Sequence, residues 1–269
     1  MAFNTGTVPL TQALPWSTDD HCILVTDSVE TDGRFLLHTI ASQALNSKRN
    51  VLWLSCGPVT DTLVATALRK IGCEAAASYL KSHRSTEWRQ PLAIHSIMVD
   101  LPNSQDDSQV YLRNLYQRIK ESCSTDSNNT TIIVDDISAL GNLLGERLVY
   151  FFLSYLRALP DCSLVLRCSN DIDKESYQEE DLPAVHASRK VDWVGAGGRR
   201  MQQVATIPWE RTLVEFADWI VDVAPLASGY SREAHGRLVF TARAAAPKEP
   251  LVMNYCLQDT SVSAIRLRN

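Results

Sequence analysis

The segment from residue 22 to residue 45 combines a strand pattern, an acidic turn and a helix pattern, and it restricts the folds open to the chain. Cys22-Ile-Leu-Val-Thr26 is an apolar run of strand length. From Phe35 to Leu45, apolar side chains return about every 3.6 positions, as on one face of a helix. A strand, a loop and a helix in this order are the setting of the Walker A phosphate-binding loop, G-x-x-x-x-G-K-[ST]. The sequence therefore predicts an α/β protein with a phosphate-loop position after its first long strand.

That loop lacks most of the groups that a nucleotide requires. Gly33 matches the second glycine of the template. Ser28 stands in place of the first glycine, Arg34 in place of the lysine and Phe35 in place of the hydroxyl residue. Phenylalanine offers no oxygen to Mg²⁺, and arginine is a planar fork rather than a compact ammonium. We expect an inactive nucleotide site that keeps the strand, loop and helix of the Walker A setting without the residues that bind the nucleotide. The alternative is an ordinary acidic strand-to-helix turn.

Strand and helix patterns alternate along the rest of the chain. Further strands are predicted at 50–55, 92–97, 130–134 and 164–166, and helices at 61–71, from 106 onward and at 143–159. This alternation favours a mostly parallel central sheet flanked by helices. Closely spaced strands at 219–223, 238–241, 252–256 and 261–265 predict an antiparallel C-terminal extension of that sheet. We expect one domain over 1–269, with residues 1–20 as an N-terminal extension.

Residues 169–212 are polar and are predicted to form a long insertion loop after the fifth strand. The segment is first acidic and then basic, and it contains Gly195-Ala-Gly-Gly198. Glycines among cations let a loop follow a phosphate backbone, where each neutralised phosphate releases counterions. The candidate RNA-binding residues are therefore Arg189, Lys190, Arg199 and Arg200. The alternative is a solvated linker without an RNA contact.

Asp135 and Asp136 follow the strand predicted at 130–134, and an apolar strand that ends in acid is the Walker B pattern. In a working enzyme this carboxylate helps to hold magnesium. Here the hydroxyl partner is missing, so a metal would be poorly held. The alternative role is to cap the next helix, which is predicted to begin near Ser138.

No other residue set identifies a catalytic or metal site. Cys56 has no base placed beside it, and His235 is expected to be a solvent-facing turn residue. The seven cysteines are scattered without a C-x-x-C pair, which argues against disulfides and zinc. The net charge of −5 argues against general polyanion binding, and no apolar run approaches the ~20 residues of a membrane span. We expect a soluble intracellular protein that has no catalytic residue, cofactor or metal.

Four motifs carry a more specific resemblance. The degenerate phosphate loop, the Walker-B-like strand and the antiparallel extension resemble a RecA-type ATPase core. In the same order, the chain resembles the Elongator complex protein 6 family at 31–38, 134–138, 226–236 and 258–263, which read TDGRFLLH, VDDIS, LASGYSREAHG and QDTSVS. These matches span nearly the full length, although the polar insertion is not covered.

The resemblance implies a RecA-like subunit without catalytic motifs of its own. It would join Elongator complex proteins 4 and 5 in a heterohexameric ring, which binds tRNA within the larger Elongator assembly that modifies wobble uridines. In RecA-like rings, loops after the fourth and fifth strands face the pore, which would place 137–145 and 169–212 near the tRNA. The expected location is the cytoplasm, with the nucleus as an additional location. A divergent nucleotide hydrolase and a scaffold without RNA contact are the rival functions.

Overall fold

A ten-stranded sheet between two layers of helices organises the chain. The computed structural model describes residues 7–16, 21–28, 30–56, 61–82, 91–97, 105–125, 129–169, 192–194, 200–202, 209–226, 229, 231, 233–243 and 249–266. The strands are β1 (Thr7–Pro9), β2 (Cys22–Asp27), β3 (Asn50–Ser55), β4 (Leu92–Ser96), β5 (Thr130–Asp135), β6 (Cys162–Ser169), β7 (Asp192–Val194), β8 (Arg200–Gln202), β9 (Trp219–Ala224), β10 (Gly236–Ala242), β11 (Leu251–Gln258) and β12 (Ser261–Arg266). The helices are α1 (Leu10–Ala13), α2 (Arg34–Asn46), α3 (Asp61–Lys70), α4 (Glu74–Ser82), α5 (Gln105–Thr125), α6 (Ile137–Leu144), α7 (Glu146–Arg157) and α8 (Trp209–Phe216).

The strand order of the large sheet is β1-β12-β11-β10-β9-β2-β6-β5-β3-β4. Strands from β9 to β4 in this order are parallel, whereas β10, β11, β12 and β1 are antiparallel. One face packs against α5, α6, α7 and α8, and the opposite face packs against α1, α2, α3 and α4. The predicted class, a mostly parallel sheet flanked by helices with antiparallel C-terminal strands, is confirmed.

Burial on both faces explains why the central strands read as unbroken apolar runs. Along β2, Cys22 and Leu24 join one core while Ile23 and Val25 join the other. The predicted bounds of β3 match the observed ones, and Gly72 has a φ of +85° just after α3, as its predicted role as a helix stop requires.

The helix predicted at 143–159 is wrong as a single element. Two helices, α6 and α7, meet at Gly145, whose φ of +92° breaks the helical path. An L-residue rarely adopts this conformation, so the glycine permits the bend. Helix α4 was missed by the sequence analysis.

Several segments near the two ends of the chain pair with the sheet in ways that the sequence analysis did not predict. β9 pairs in parallel with β2, so the antiparallel part begins only at β10. Within the predicted N-terminal extension, β1 pairs with β12, and the ring of Trp16 packs against Trp219 and Phe240. The range 169–212, predicted to be a loop, contains the antiparallel pair β7–β8 and the start of α8, while its remaining residues from 170 on lie outside the described part of the chain.

Candidate functional site

The candidate site lies at the carboxyl ends of three adjacent parallel strands, where open α/β sheets bind their ligands. β6 runs between β2 and β5. Asp27 ends β2, Asp135 ends β5, and Arg167 lies near the end of β6. The strand order therefore brings together the phosphate-loop position, the Walker-B-like acid and an arginine.

The guanidinium of Arg167 occupies the centre of this site. Its Nε donates to Oδ1 of Asp135 at 2.6 Å, and its Nη1 donates to Oδ2 of Asp27 at 2.9 Å. Its Nη2 lies 3.5 Å from Oδ2 of Asp136. The side chains of Asp27 and Asp135 are each 2% exposed, and that of Arg167 is 10% exposed. Buried charges require such pairing, and the planar fork of arginine can serve several carboxylates at once.

Burial decides the direction of the pKa shifts at this site. It raises the pKa of the Asp27 and Asp135 carboxyl groups, and the positive charge of Arg167 opposes that rise without cancelling it. Burial also disfavours charged Arg167, but attraction by Asp135 and Asp27 outweighs it and raises the pKa of the guanidinium. Arg167 therefore stays protonated and acts as the resident cation among the carboxylates.

The phosphate-loop position is closed by hydrogen bonds within the protein. The backbone N–H of Gly33, a donor that a phosphate would use, points instead to Oδ2 of Asp27 at 2.7 Å. Ser28 and Thr31 close a tight turn on each other, and the Thr31 hydroxyl donates to the carbonyl of Val223 at 2.7 Å. The loop is thus held against β9, and the backbone N–H groups of Ser28, Thr31 and Gly33 are bound within the protein.

Arg34 and Phe35 also have other partners. The Nε of Arg34 lies 3.0 Å from both carboxylate oxygens of Asp32, and its backbone N–H donates to the same side chain. The Phe35 ring packs on Tyr255 of β11 with ring centroids 4.6 Å apart. The residue at the magnesium-hydroxyl position therefore joins α2 to the antiparallel part of the sheet.

Asp135 and Asp136 have different roles. Asp135 is an ion-pair partner of Arg167, whereas Asp136 caps α6 by accepting from the backbone N–H of Ala139 at 3.0 Å. Capping was the predicted alternative to metal binding, and it is confirmed for Asp136. Its φ of +68° also shows that the chain turns sharply here.

The remaining predicted residues are placed as follows. Arg189, Lys190 and Arg199 lie outside the described residues, and Arg200 begins β8. Cys56 is buried, and burial raises the pKa of its thiol well above the usual value. His235 is exposed, and its Nδ1 accepts from the backbone N–H of Leu257 at 3.0 Å. The surroundings of Cys56 and His235 are therefore those of structural residues rather than of a nucleophile and a general base.

Sequence reasoning missed Arg167, which connects the site. A signal was present, because a single arginine interrupts the apolar strand Cys162–Ser169, and arginine is rarely buried without a charged partner.

Among the described residues, no group of three or more metal-binding side chains is arranged to hold an ion, and all seven cysteines are free. The described helices include none long and apolar enough to cross a membrane.

A comparison with known protein families finds a match over most of the chain. Residues 10–216 match the family model described as Elongator subunit Iki1. No curated protein matches the chain. Together with the mostly parallel sheet and its antiparallel C-terminal strands, the family match agrees with the predicted RecA-like fold class.

Proposed function

Because the chain belongs to the Elongator subunit Iki1 family, we propose that it is a non-catalytic RecA-like subunit of the Elongator ring. In this role it contributes to ring assembly and to tRNA binding during wobble-uridine modification. Family membership makes the chain a component of Elongator. The pairing of Arg167 with Asp27 and Asp135 supports the absence of catalysis.

The observation that carries the proposal is the position of Arg167 between the end of the phosphate-loop strand and the Walker-B-like acid. A nucleotide enzyme needs this carboxylate free to orient a magnesium ion. Here the carboxylate is bound to an internal cation, and the Gly33 N–H is bound to Asp27. Side chains of this protein therefore occupy the groups that a metal ion and a phosphate would need to contact.

Calorimetric titration of the full chain with ATP and magnesium tests this proposal. We expect no saturable heat. Binding with a micromolar dissociation constant would contradict it. Nucleotide hydrolysis by the purified chain that disappears in Asp135→Ala would instead identify a divergent hydrolase.

The proposed partners are Elongator complex proteins 4 and 5, with the chain in position 6 of a hexamer that holds two copies of each subunit. The position rests on the motif resemblance, whereas the family match extends to Elongator subunits as such. Native mass spectrometry should be run on the chain alone and after co-expression with proteins 4 and 5, 4 and 6, or 5 and 6. A hexamer with 4 and 5 supports position 6, and a hexamer with another pair reassigns it.

The proposed tRNA contact involves the basic residues of the insertion and, by position, the segment 137–145. The assembled ring should be compared with a ring that carries Arg199→Ala and Arg200→Ala, and with one that carries Arg189→Ala and Lys190→Ala. A matched control changes Arg69 and Lys70 at the end of α3. We expect weaker tRNA binding and a shallower salt dependence only in the insertion variants. Unchanged affinity and slope in both would remove these residues from the tRNA site.

A further inference from the structure

A groove lies between α5 and α7, and each of the two helices lines it with one face. The groove has a volume of about 470 Å³ and is lined by Gln109, Leu112, Arg113, Tyr116, Gln117, Leu148, Phe151, Phe152 and Tyr155. These positions recur three or four residues apart, so each helix presents one face to the groove. The buried side chains of Leu112 and Phe152 belong to the core beneath.

The walls of this groove expose large aromatic surface. Phe151 is 47% exposed and Tyr155 is 59% exposed, one turn apart on α7. Tyr116 on the facing helix packs against Tyr155 with ring centroids 5.7 Å apart. Single exposed apolar side chains are common on proteins, but two exposed aromatic rings beside one concave groove favour a binding surface.

The charges at the groove are positive. Arg113 lines it from α5, and the guanidinium carbon of Arg147 lies 5.8 Å from the centroid of the Phe151 ring. No described residue that lines the groove is acidic. Glu146 lies on the other flank of α7, one turn before Tyr150, whose ring packs against Phe216.

We propose that this groove binds an amphipathic helix of a partner protein, with large apolar anchors on one face and carboxylates beside them. The lining runs from 109 to 117 on α5, which at 1.5 Å per residue is about 12 Å, or roughly two turns of a bound helix. Helices recognised in this way place apolar anchors at i, i+3 or i+4, and i+7. The two arginines supply the complementary charge for flanking glutamates or aspartates.

The charges also disfavour two other occupants. A second copy docked through the same groove would bring the arginines of both copies together, because an isologous interface pairs identical patches. RNA binding depends on the number of phosphates neutralised. Among the described residues, only one cationic side chain lines the groove, with one more beside it. The proposal needs neither nucleotide nor tRNA binding, so its test can fail without affecting either of those expectations.

Fluorescence anisotropy of the full chain tests the proposal. The probes are two labelled synthetic helices of about 14 residues with the same leucine anchors, one flanked by glutamates and the other by lysines. We expect the glutamate helix to bind at least about tenfold more tightly. Phe151→Ser together with Tyr155→Ser should weaken it by about tenfold or more. Leu63→Ser is the matched control, because Leu63 is 59% exposed on α3 at the opposite face of the sheet.

A charge reversal separates loss of binding from loss of folding. Arg113→Glu together with Arg147→Glu should transfer the preference to the lysine helix, which a misfolded chain would not do. Equal affinity for both helices, or affinity that the groove substitutions leave unchanged, overturns the proposal. If the double serine variant keeps helix binding but loses tRNA binding, the groove is an RNA site. If it keeps helix binding but loses self-association, the groove binds a second copy of the chain. Either outcome also overturns the proposal.

Discussion

The Nε atom of Arg167 donates a 2.6 Å hydrogen bond to Oδ1 of Asp135, and the two residues lie on neighbouring parallel strands with both side chains almost fully buried. The same guanidinium reaches Asp27, the residue that ends the strand before the phosphate-loop position. A single side chain therefore binds both the acid that precedes the phosphate-loop position and the Walker-B-like acid.

Removal of the arginine should strongly destabilise the fold. Arg167→Ala leaves the buried carboxylates of Asp27 and Asp135 without their cation, and breaking a buried ion pair in this way costs about 3–5 kcal/mol. Urea unfolding at neutral pH should show this loss. Arg167→Lys keeps the positive charge but not the planar guanidinium. Its free energy of unfolding should lie between those of Arg167→Ala and the native chain.

Acid should partly rescue Arg167→Ala. Without the guanidinium, burial alone raises the carboxyl pKa values, so the folded variant binds protons more readily than the unfolded chain. Its deficit relative to the native chain should shrink as pH falls toward 5. A deficit below about 1 kcal/mol at neutral pH, within the range of a surface ion pair, would contradict the structural role of Arg167.

Restoration of two Walker residues should not restore nucleotide binding. Arg34→Lys with Phe35→Thr supplies the lysine and the hydroxyl, but the Gly33 N–H remains bound to Asp27 and Asp135 remains bound to Arg167. The variant should also be less stable, because it loses the packing of Phe35 on Tyr255. Calorimetry with ATP and magnesium is the measurement, and saturable binding by the folded variant would show that the missing residues alone had disabled the site.

Two glycines of the segment 226–236 should respond differently to alanine. A Cβ at Gly236 would lie 2.6 Å from Oη of Tyr255 and 2.8 Å from the carbonyl oxygen of Ala224, so the paired strands must shift. A Cβ at Gly229 meets no atom within 4 Å, and its φ of +79° carries only the strain of the left-handed region. We expect a loss of about 1–3 kcal/mol from overpacking for Gly236→Ala and about 1 kcal/mol for Gly229→Ala. Denaturant unfolding would refute this order if Gly229→Ala were the more damaging change.

His38 should make stability depend on pH. Its ring stacks on Trp53 at a centroid distance of 5.1 Å, and burial lowers the pKa of the imidazole from 6.5 to about 4. Because the folded pKa is the lower one, the unfolded chain takes up the proton first, and the stabilisation present above about pH 6.5 is lost as pH falls toward 4. The loss is at most about 3–4 kcal/mol at 1.36 kcal/mol per pKa unit.

The matching substitution is His38→Phe, which keeps a ring against Trp53 and removes the titrating group. Unfolding free energies should be measured by denaturant titration at intervals between pH 7 and pH 4 for both proteins. The difference between the two curves should widen in favour of the phenylalanine variant as pH falls. Parallel curves would assign the acid sensitivity to other groups.

Much of the fold could be predicted because its signals are local. The bounds of β3, the helix stop at Gly72 and the loop position of Gly33 follow from apolar period and turn chemistry within a few residues. The prediction failed where distant segments decide the outcome. β9 is apolar in either orientation, so only its partner β2 makes it parallel, and the short β1 is a strand because β12 lies beside it.

The sequence by itself determined what this protein lacks at its phosphate-loop position, since a missing lysine and a missing hydroxyl are facts of composition that no fold can reverse. Only the tertiary structure decided what fills the site. Arg167 and Asp27 are 140 positions apart, and they meet because β6 runs beside β2 in the sheet. Strand order is a property of the whole core, which is why a buried arginine on an apolar strand becomes interpretable only when its neighbours are known.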